Sequence, residues 1–199
     1  LLYDGQSPYC ASNALASAAI AQLLADMTVL SPDERLSLRH AALTMNLAMS
    51  RVQDELARQK SPPGEHQRAT IHAHPTEAHT ALRGLGVQDA QWLHLVLNHH
   101  EAADGSGYPS GRPVDGLALQ ILRLADRFVA RISPRRSRAS LSARQAVRAH
   151  YLELRDHPSQ LGELLVRRLG LYLPGSYVKL RNGEIAVVIR ISDAVDKPT

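Results

Sequence analysis

Cysteine is almost missing: Cys10 stands alone in 199 residues. That excludes a disulfide framework and any zinc site built on paired thiolates. Aromatic side chains are scarce as well, 4% of the chain with one Trp and one Phe, so there is little to stack on unpaired bases. No apolar run approaches the roughly 20 residues that a membrane-crossing helix needs, and no secretory leader is visible. A cytoplasmic protein without membrane association is expected. Histidine is absent from residues 1–39, although the chain holds 10 of them.

What is present points to helices. The hydrophobic fraction is 44%, and with few aromatics the core must be Leu, Ala, Val and Ile, which suits packed helices better than stacked sheets. The length fits one ordinary domain, with or without a small appendage. A net charge of +4 permits attraction to phosphate. Much of that excess is local, in Arg131, Arg135, Arg136, Arg138, Arg144 and Arg148. A nucleic-acid surface and a solvated helix face both produce such a cluster. The second is favoured, because no aromatics are interleaved with the arginines.

Residues 1–10 read as a loop or the tail of an upstream segment, the first residue being Leu and not Met. Helical periodicity begins at Ala11 and runs to Met27. Ser31-Pro32-Asp33-Glu34 offers an N-cap hydroxyl, Pro at the first helical position and a closing Glu, opening a helix expected to run unbroken to about Gln59. Further helices are expected over Glu65–Leu82, Asp89–His99 and Asp115–Ile132, then from Ser142 (with Gln145) through Arg155, and from His157-Pro158 to Gly170. Asp104 to Pro113 holds three Gly and two Pro, too many breakers for anything but a loop. Tyr177–Leu180, Asn182-Gly183 and Ile185–Ile191 form a hairpin signature, with Asn-Gly supplying positive φ. The expected architecture is all-α: a helical bundle over 11–172, then a small β-hairpin and tail over 173–199.

The densest group of functional residue types is His99-His100-Glu101-Ala102-Ala103-Asp104-Gly105-Ser106-Gly107-Tyr108-Pro109. Two adjacent histidines at a helix end, followed by a carboxylate and a rigid glycine loop, suit a metal or phosphate site. The same histidines can equally serve only in packing and hydrogen bonding. The combination resembles the signature of HD-GYP proteins, metal-dependent phosphohydrolases of the HD superfamily that cleave cyclic di-GMP. The resemblance extends upstream to His72-Ala73-His74-Pro75, similar to the family's His-Pro ligand position, 25 residues before His99. Downstream it takes in Ile121-Leu122-Arg123-Leu124-Ala125-Asp126, similar to the helix carrying a late Asp ligand, and Leu173-Pro174-Gly175-Ser176-Tyr177-Val178 with the hairpin. It covers roughly residues 11–190. It implies an HD-domain-like bundle, with His74, His99, His100 and Asp126 as metal ligands. It also implies that Glu101, Asp104, Gly105, Gly107, Tyr108 and Pro109 form a loop contacting nucleotide or partner, and that Arg131 and Arg135 are available to phosphate.

The family is named partly for a His-Asp dyad followed three residues later by Lys. Aligned through Ala41-Ala42-Leu43, those positions hold Met45, Asn46 and Met49, and a further ligand His falls at Asn13. His40 lies five residues before Met45, rotated away. In the family the dyad Asp bridges two cations. Asn46 offers a neutral oxygen, and Met45 a soft thioether unsuited to Mn, Fe(II) or Mg. The resemblance therefore implies a degenerate module of cyclic di-GMP signalling with weak or no turnover. Its metal is expected to be one divalent ion (Fe, Mn or Zn) at low occupancy, or none. Its partners are expected to be cyclic di-GMP or a diguanylate-cyclase (GGDEF-type) domain, with a homodimer allowed. The alternative is a surviving phosphodiesterase with a reduced metal site.

Overall fold

A computed structural model of the chain describes residues 8–137, 139–156, 159–169, 177–180 and 182–189. The chain packs as two compact units, Leu2–Ala139 and Ser140–Thr199. The first contains α1 (Tyr9–Ala25), α2 (Pro32–Thr44), a short 3₁₀ turn (Leu47–Met49), α3 (Ser50–Arg58), α4 (Glu65–Gly84), α5 (Ala90–Asn98) and α6 (Leu117–Ile132). The second contains α7 (Ala143–Asp156), α8 (Gln160–Leu169), β1 (Tyr177–Lys179) and β2 (Ile185–Val187). No described helix is long and apolar enough to cross a membrane.

The mostly helical expectation holds, down to its local signals. Ser31 accepts from the Glu34 amide at 3.3 Å while the Glu34 carboxylate accepts from the Ser31 amide at 2.8 Å, closing the capping box of α2. Ser142 and Gln145 make the equivalent pair before α7, at 2.8 and 3.2 Å. α5 is capped by Asp89, whose side chain accepts from the Trp92 amide at 2.9 Å. The hairpin pairs Tyr177 with Val187 and Lys179 with Ile185. Positive φ falls on Gly183 alone of its turn pair, since no described non-glycine residue has positive φ. Asn182 instead accepts from the Glu184 amide at 3.1 Å.

The long second helix is a correction. The stretch from Pro32 to Gln59 is not continuous: α2 stops at Thr44, Met45 and Asn46 form a turn, and the chain re-enters helix at Ser50. At the stop, the Thr44 hydroxyl donates back to the His40 carbonyl at 2.7 Å, a bond that bends helices. The same oxygen accepts from Trp92 Nε1 at 2.8 Å. Both break residues are drawn inward, Met45 fully and Asn46 partly.

The core of the first unit is built on α6, which buries Ala118, Leu119, Ile121, Leu122, Leu124, Ala125, Phe128 and Val129. α1 lies against α2 and α6, α2 against α5 and α6, and α4 against α5. Leu24, Leu38, Met45, Leu95 and Val96 fill the space between them. α4, α5 and the loop that follows thus come together at one place, and each contributes to it a histidine or its neighbour.

Thr44→Val removes the partner of the indole N–H while keeping the side-chain shape. Urea unfolding followed by the fluorescence of Trp92, the single tryptophan, should show stability reduced by about 1 kcal/mol.

Candidate metal centre

The three histidines of this site are aimed by the backbone. His74 lies within α4 and is followed by Pro75. A proline has no N–H, so the carbonyl four residues earlier, that of Ile71, loses its helical donor. His74 Nδ1 takes that carbonyl at 2.6 Å. His99 caps the C-terminus of α5, where the last carbonyls have no partner within the helix. Its Nδ1 takes one of them, Val96 O, at 2.7 Å. A carbonyl only accepts, so each ring carries its proton on Nδ1 and leaves Nε2 as a bare lone pair.

Those two Nε2 atoms face each other at 3.0 Å. Two lone pairs at that distance repel unless a cation stands between them. A proton is a poor candidate near neutrality. Burial pushes His74 down to about 4, against the pull of its Ile71 bond. Burial and then the neighbouring His100 and His74 hold His99 well below its ordinary value. Burial first, then His74, His72 and Arg123, bring His100 down to about 3. A metal ion fits. Two imidazole nitrogens about 2.1 Å from one ion and about 90° apart lie roughly 3.0 Å from each other.

The ligand atoms of His74, His99 and His100 all lie within 4.8 Å of one another. His74 and His99 are 0% and 2% exposed; His100 is half-buried. No carbonyl holds the His100 ring among the described residues. It rests on other rings: His99 with centroids 4.1 Å away, and Tyr108 stacked at 4.6 Å and 23°. Neutral imidazoles of this kind suit Zn or Fe better than Mn.

Asp126 stands outside that group. It is half-buried on α6, and burial pushes its carboxyl up to about 6, although Arg135, Arg127 and the nearby Asn46 side chain all favour its charged form. Arg135 donates from Nε to the Tyr9 hydroxyl at 2.8 Å, with its guanidinium 5.2 Å from the Tyr9 ring centre. Arg131 is half-buried in the last turn of α6. Met45 is fully buried, Met49 half-buried, and Asn13, 2% exposed, accepts from Gln53 Nε2 at 3.5 Å. His40 turns to Trp92, ring centres 4.7 Å apart, and takes no part here.

The loop folds back over its own start. Gly107 lies so close to the backbone of residues 100–102 that a Cβ there would meet His100 O at 2.3 Å. Gly105 has φ +77°, and its amide donates to Ala102 O at 3.0 Å. Asp104 accepts from both the amide and hydroxyl of Ser106, which hold its carboxyl below the usual range. Tyr108 is half-buried and Pro109 exposed. Glu101 is a correction: at 2% exposure it offers no surface to a partner or nucleotide and turns inward to Ser110. Ser110 and Arg123 were not legible as site residues, although an arginine within the apolar helix Leu117–Ile132 was a usable signal.

Comparison with known proteins bears on the family and the fold. A match to the HD domain family spans residues 4–157. A cyclic di-GMP phosphodiesterase of Pseudomonas aeruginosa is 25% identical over 152 residues, covering 75% of this chain and 36% of the relative. The 3'3'-cGAMP-specific phosphodiesterase 3 of Vibrio cholerae is 28% identical over 148 residues, 73% of this chain and 32% of the relative. Phosphodiesterase 1 of the same specificity and organism is 25% identical over 177 residues, 85% and 40%. The chain thus spans well under half the length of these relatives. An HDG"Y"P protein from Bdellovibrio bacteriovorus shares the fold with a TM-score of 0.61 at 16% identity, over 78% of this chain and 51% of that one.

The depressed histidines set a pH dependence. Below about pH 6.5 an unfolded His74 takes up a proton that the folded chain refuses until about 4. Stability is therefore full above about 6.5 and falls as the pH drops toward 4. Urea unfolding of the metal-free chain should show a loss on the order of 1–2 kcal/mol from His74 alone between pH 7 and pH 5. His74→Gln should flatten the slope.

Proposed function

Because this chain belongs to the HD domain family, we propose that it is a signalling module of the HD-GYP type that holds one divalent cation and turns over cyclic dinucleotides weakly or not at all. The observation that carries the reading is the 3.0 Å approach of two bare Nε2 atoms in the His74–His99–His100 cluster. That cluster completes one cation position. A cation there supplies Lewis acidity toward a phosphoryl oxygen and acidifies bound water.

The neighbouring position has no comparable donors. Asn46 occupies the place of the family's bridging carboxylate, Met45 the place of its histidine and Met49 the place of its lysine. Asn46 is neutral and lies beside Asp126. Two divalent cations about 3.5–4 Å apart need anions between them, and an amide beside a thioether provides none. Each 1.4 kcal/mol of lost transition-state stabilisation is about tenfold in rate, so losing one ion of a pair removes most of the turnover.

The relatives' names, which specify cyclic di-GMP and 3'3'-cGAMP, support the choice of ligand class. A cyclic purine dinucleotide is the proposed ligand here, with Arg131 and Arg135 meeting its phosphates. The loop Asp104–Pro113, with Gly105, Gly107, Tyr108 and Pro109 in place, is the proposed surface for a diguanylate-cyclase-type domain. A second reading, a surviving mononuclear phosphodiesterase, is favoured by the intact histidine cluster.

Metal analysis of chain purified without chelator or affinity-tag metal should find up to one ion per chain, removed by His99→Ala; less than about a tenth of an equivalent defeats the metal reading. Incubation with cyclic di-GMP and Mn or Fe(II) should give slow hydrolysis at most. Brisk turnover that His99→Ala abolishes would establish the second reading instead.

A further inference from the structure

We propose that Glu101 is a positioning residue for the three-histidine centre, its buried carboxylate clamping the loop from inside so that Tyr108 holds the His100 ring in place. The inference rests on the metal reading of that centre and concerns how its least constrained ligand is aimed.

His74 and His99 are each fixed by a carbonyl on their own helix, Ile71 O and Val96 O. His100 has no such partner among the described residues; its ring lies against those of His99 and His74, and Tyr108 stacks on it nearly parallel. Tyr108 reaches that position because the loop turns back on residues 100–102. Its amide donates to His100 O at 3.2 Å, and Gly107 packs directly on Glu101 Cα and Ala102 N. Farther along, the Val114 amide donates to Ala102 O at 3.4 Å, and the stretch just after Tyr108 lies between these two backbone ties.

Glu101 reaches that stretch. Its Oε1 accepts both the amide of Ser110 at 2.5 Å and the hydroxyl of Ser110 at 2.7 Å. Ser110 is two residues past Tyr108, so the carboxylate ties down the chain on the distal side of the ring. Both bonds converge on one oxygen of a side chain that is only 2% exposed. The other oxygen, Oε2, is buried with no hydrogen-bond partner among the described residues, and the charge of Arg123 lies nearby. The order of dependence is therefore Glu101 to Ser110, Ser110 to Tyr108, and Tyr108 to His100.

Three variants of the full chain separate this role from general stability. Glu101→Ala removes the acceptor, Glu101→Gln keeps an acceptor oxygen of the same reach, and Ser110→Ala removes one donor from an exposed residue. In the metal-free chain, the His100 ring resonances in nitrogen–proton NMR spectra should move in Glu101→Ala and in Ser110→Ala, and return in Glu101→Gln. In a Co²⁺ titration, Glu101→Ala should weaken affinity by about tenfold or more and shift the visible bands, while Glu101→Gln stays within about threefold of the parent. Unmoved His100 resonances in Glu101→Ala overturn the proposal, as does a Glu101→Gln variant as impaired as Glu101→Ala. Should Glu101→Ala fail to fold, Ser110→Ala and Glu101→Gln decide by the same resonances. A parent chain that takes up no Co²⁺ defeats the metal reading, whereas the His100 resonances still judge the clamp.

Discussion

Two imidazole nitrogens that both carry lone pairs are held 3.0 Å apart where water cannot separate them. Each is forced into that state from behind, because its other nitrogen is spent on a carbonyl. For His74 the carbonyl is free because Pro75 cannot donate to it; for His99 it is free because α5 is ending. A helix interior and a helix terminus thus solve the same problem by different means. The bundle around them keeps the repulsion in place, since α4 and α5 pack on each other and α6 fills the core behind.

The two sides of this region differ in how their electrostatics are settled. On the histidine side three rings are pressed together, two of them with bare Nε2 atoms facing each other at 3.0 Å, which a cation would relieve. On the Asp126 side the carboxylate already has the Asn46 amide and the charges of Arg127 and Arg135 nearby. A cation brought there would compete with guanidinium groups and gain no bridging anion. This difference between the two sides is what supports the proposal of a one-ion centre. It is also why the HD-GYP-type fold can persist around it: the fold rests on apolar packing between helices, and no part of that packing needs a second ion.

What could be read from the residues in advance were features whose physics is local. The capping boxes at Ser31 and Ser142 each involve residues three apart, and the loop 104–113 is dense in Gly and Pro. The histidine cluster was legible because its spacing matches a known signature, although nothing in the spacing says that His74 and His99 would meet nitrogen to nitrogen. What escaped depends on distant partners. The break after Thr44 is stabilised by Trp92, 48 residues away. Asn46 meets a carboxylate on a helix that begins some seventy residues later. The inward turn of Glu101 follows from the loop closing over it, and a carboxylate beside a glycine loop looks, from residue type alone, like a surface group.

Crystals soaked in Mn²⁺ and measured at a wavelength where manganese scatters anomalously would count the ions directly. One peak is expected, bound by the nitrogens of His74, His99 and His100 at about 2.1–2.3 Å. A pair of peaks about 3.5–4 Å apart, the second against Asp126 and Asn46, would contradict a one-ion centre.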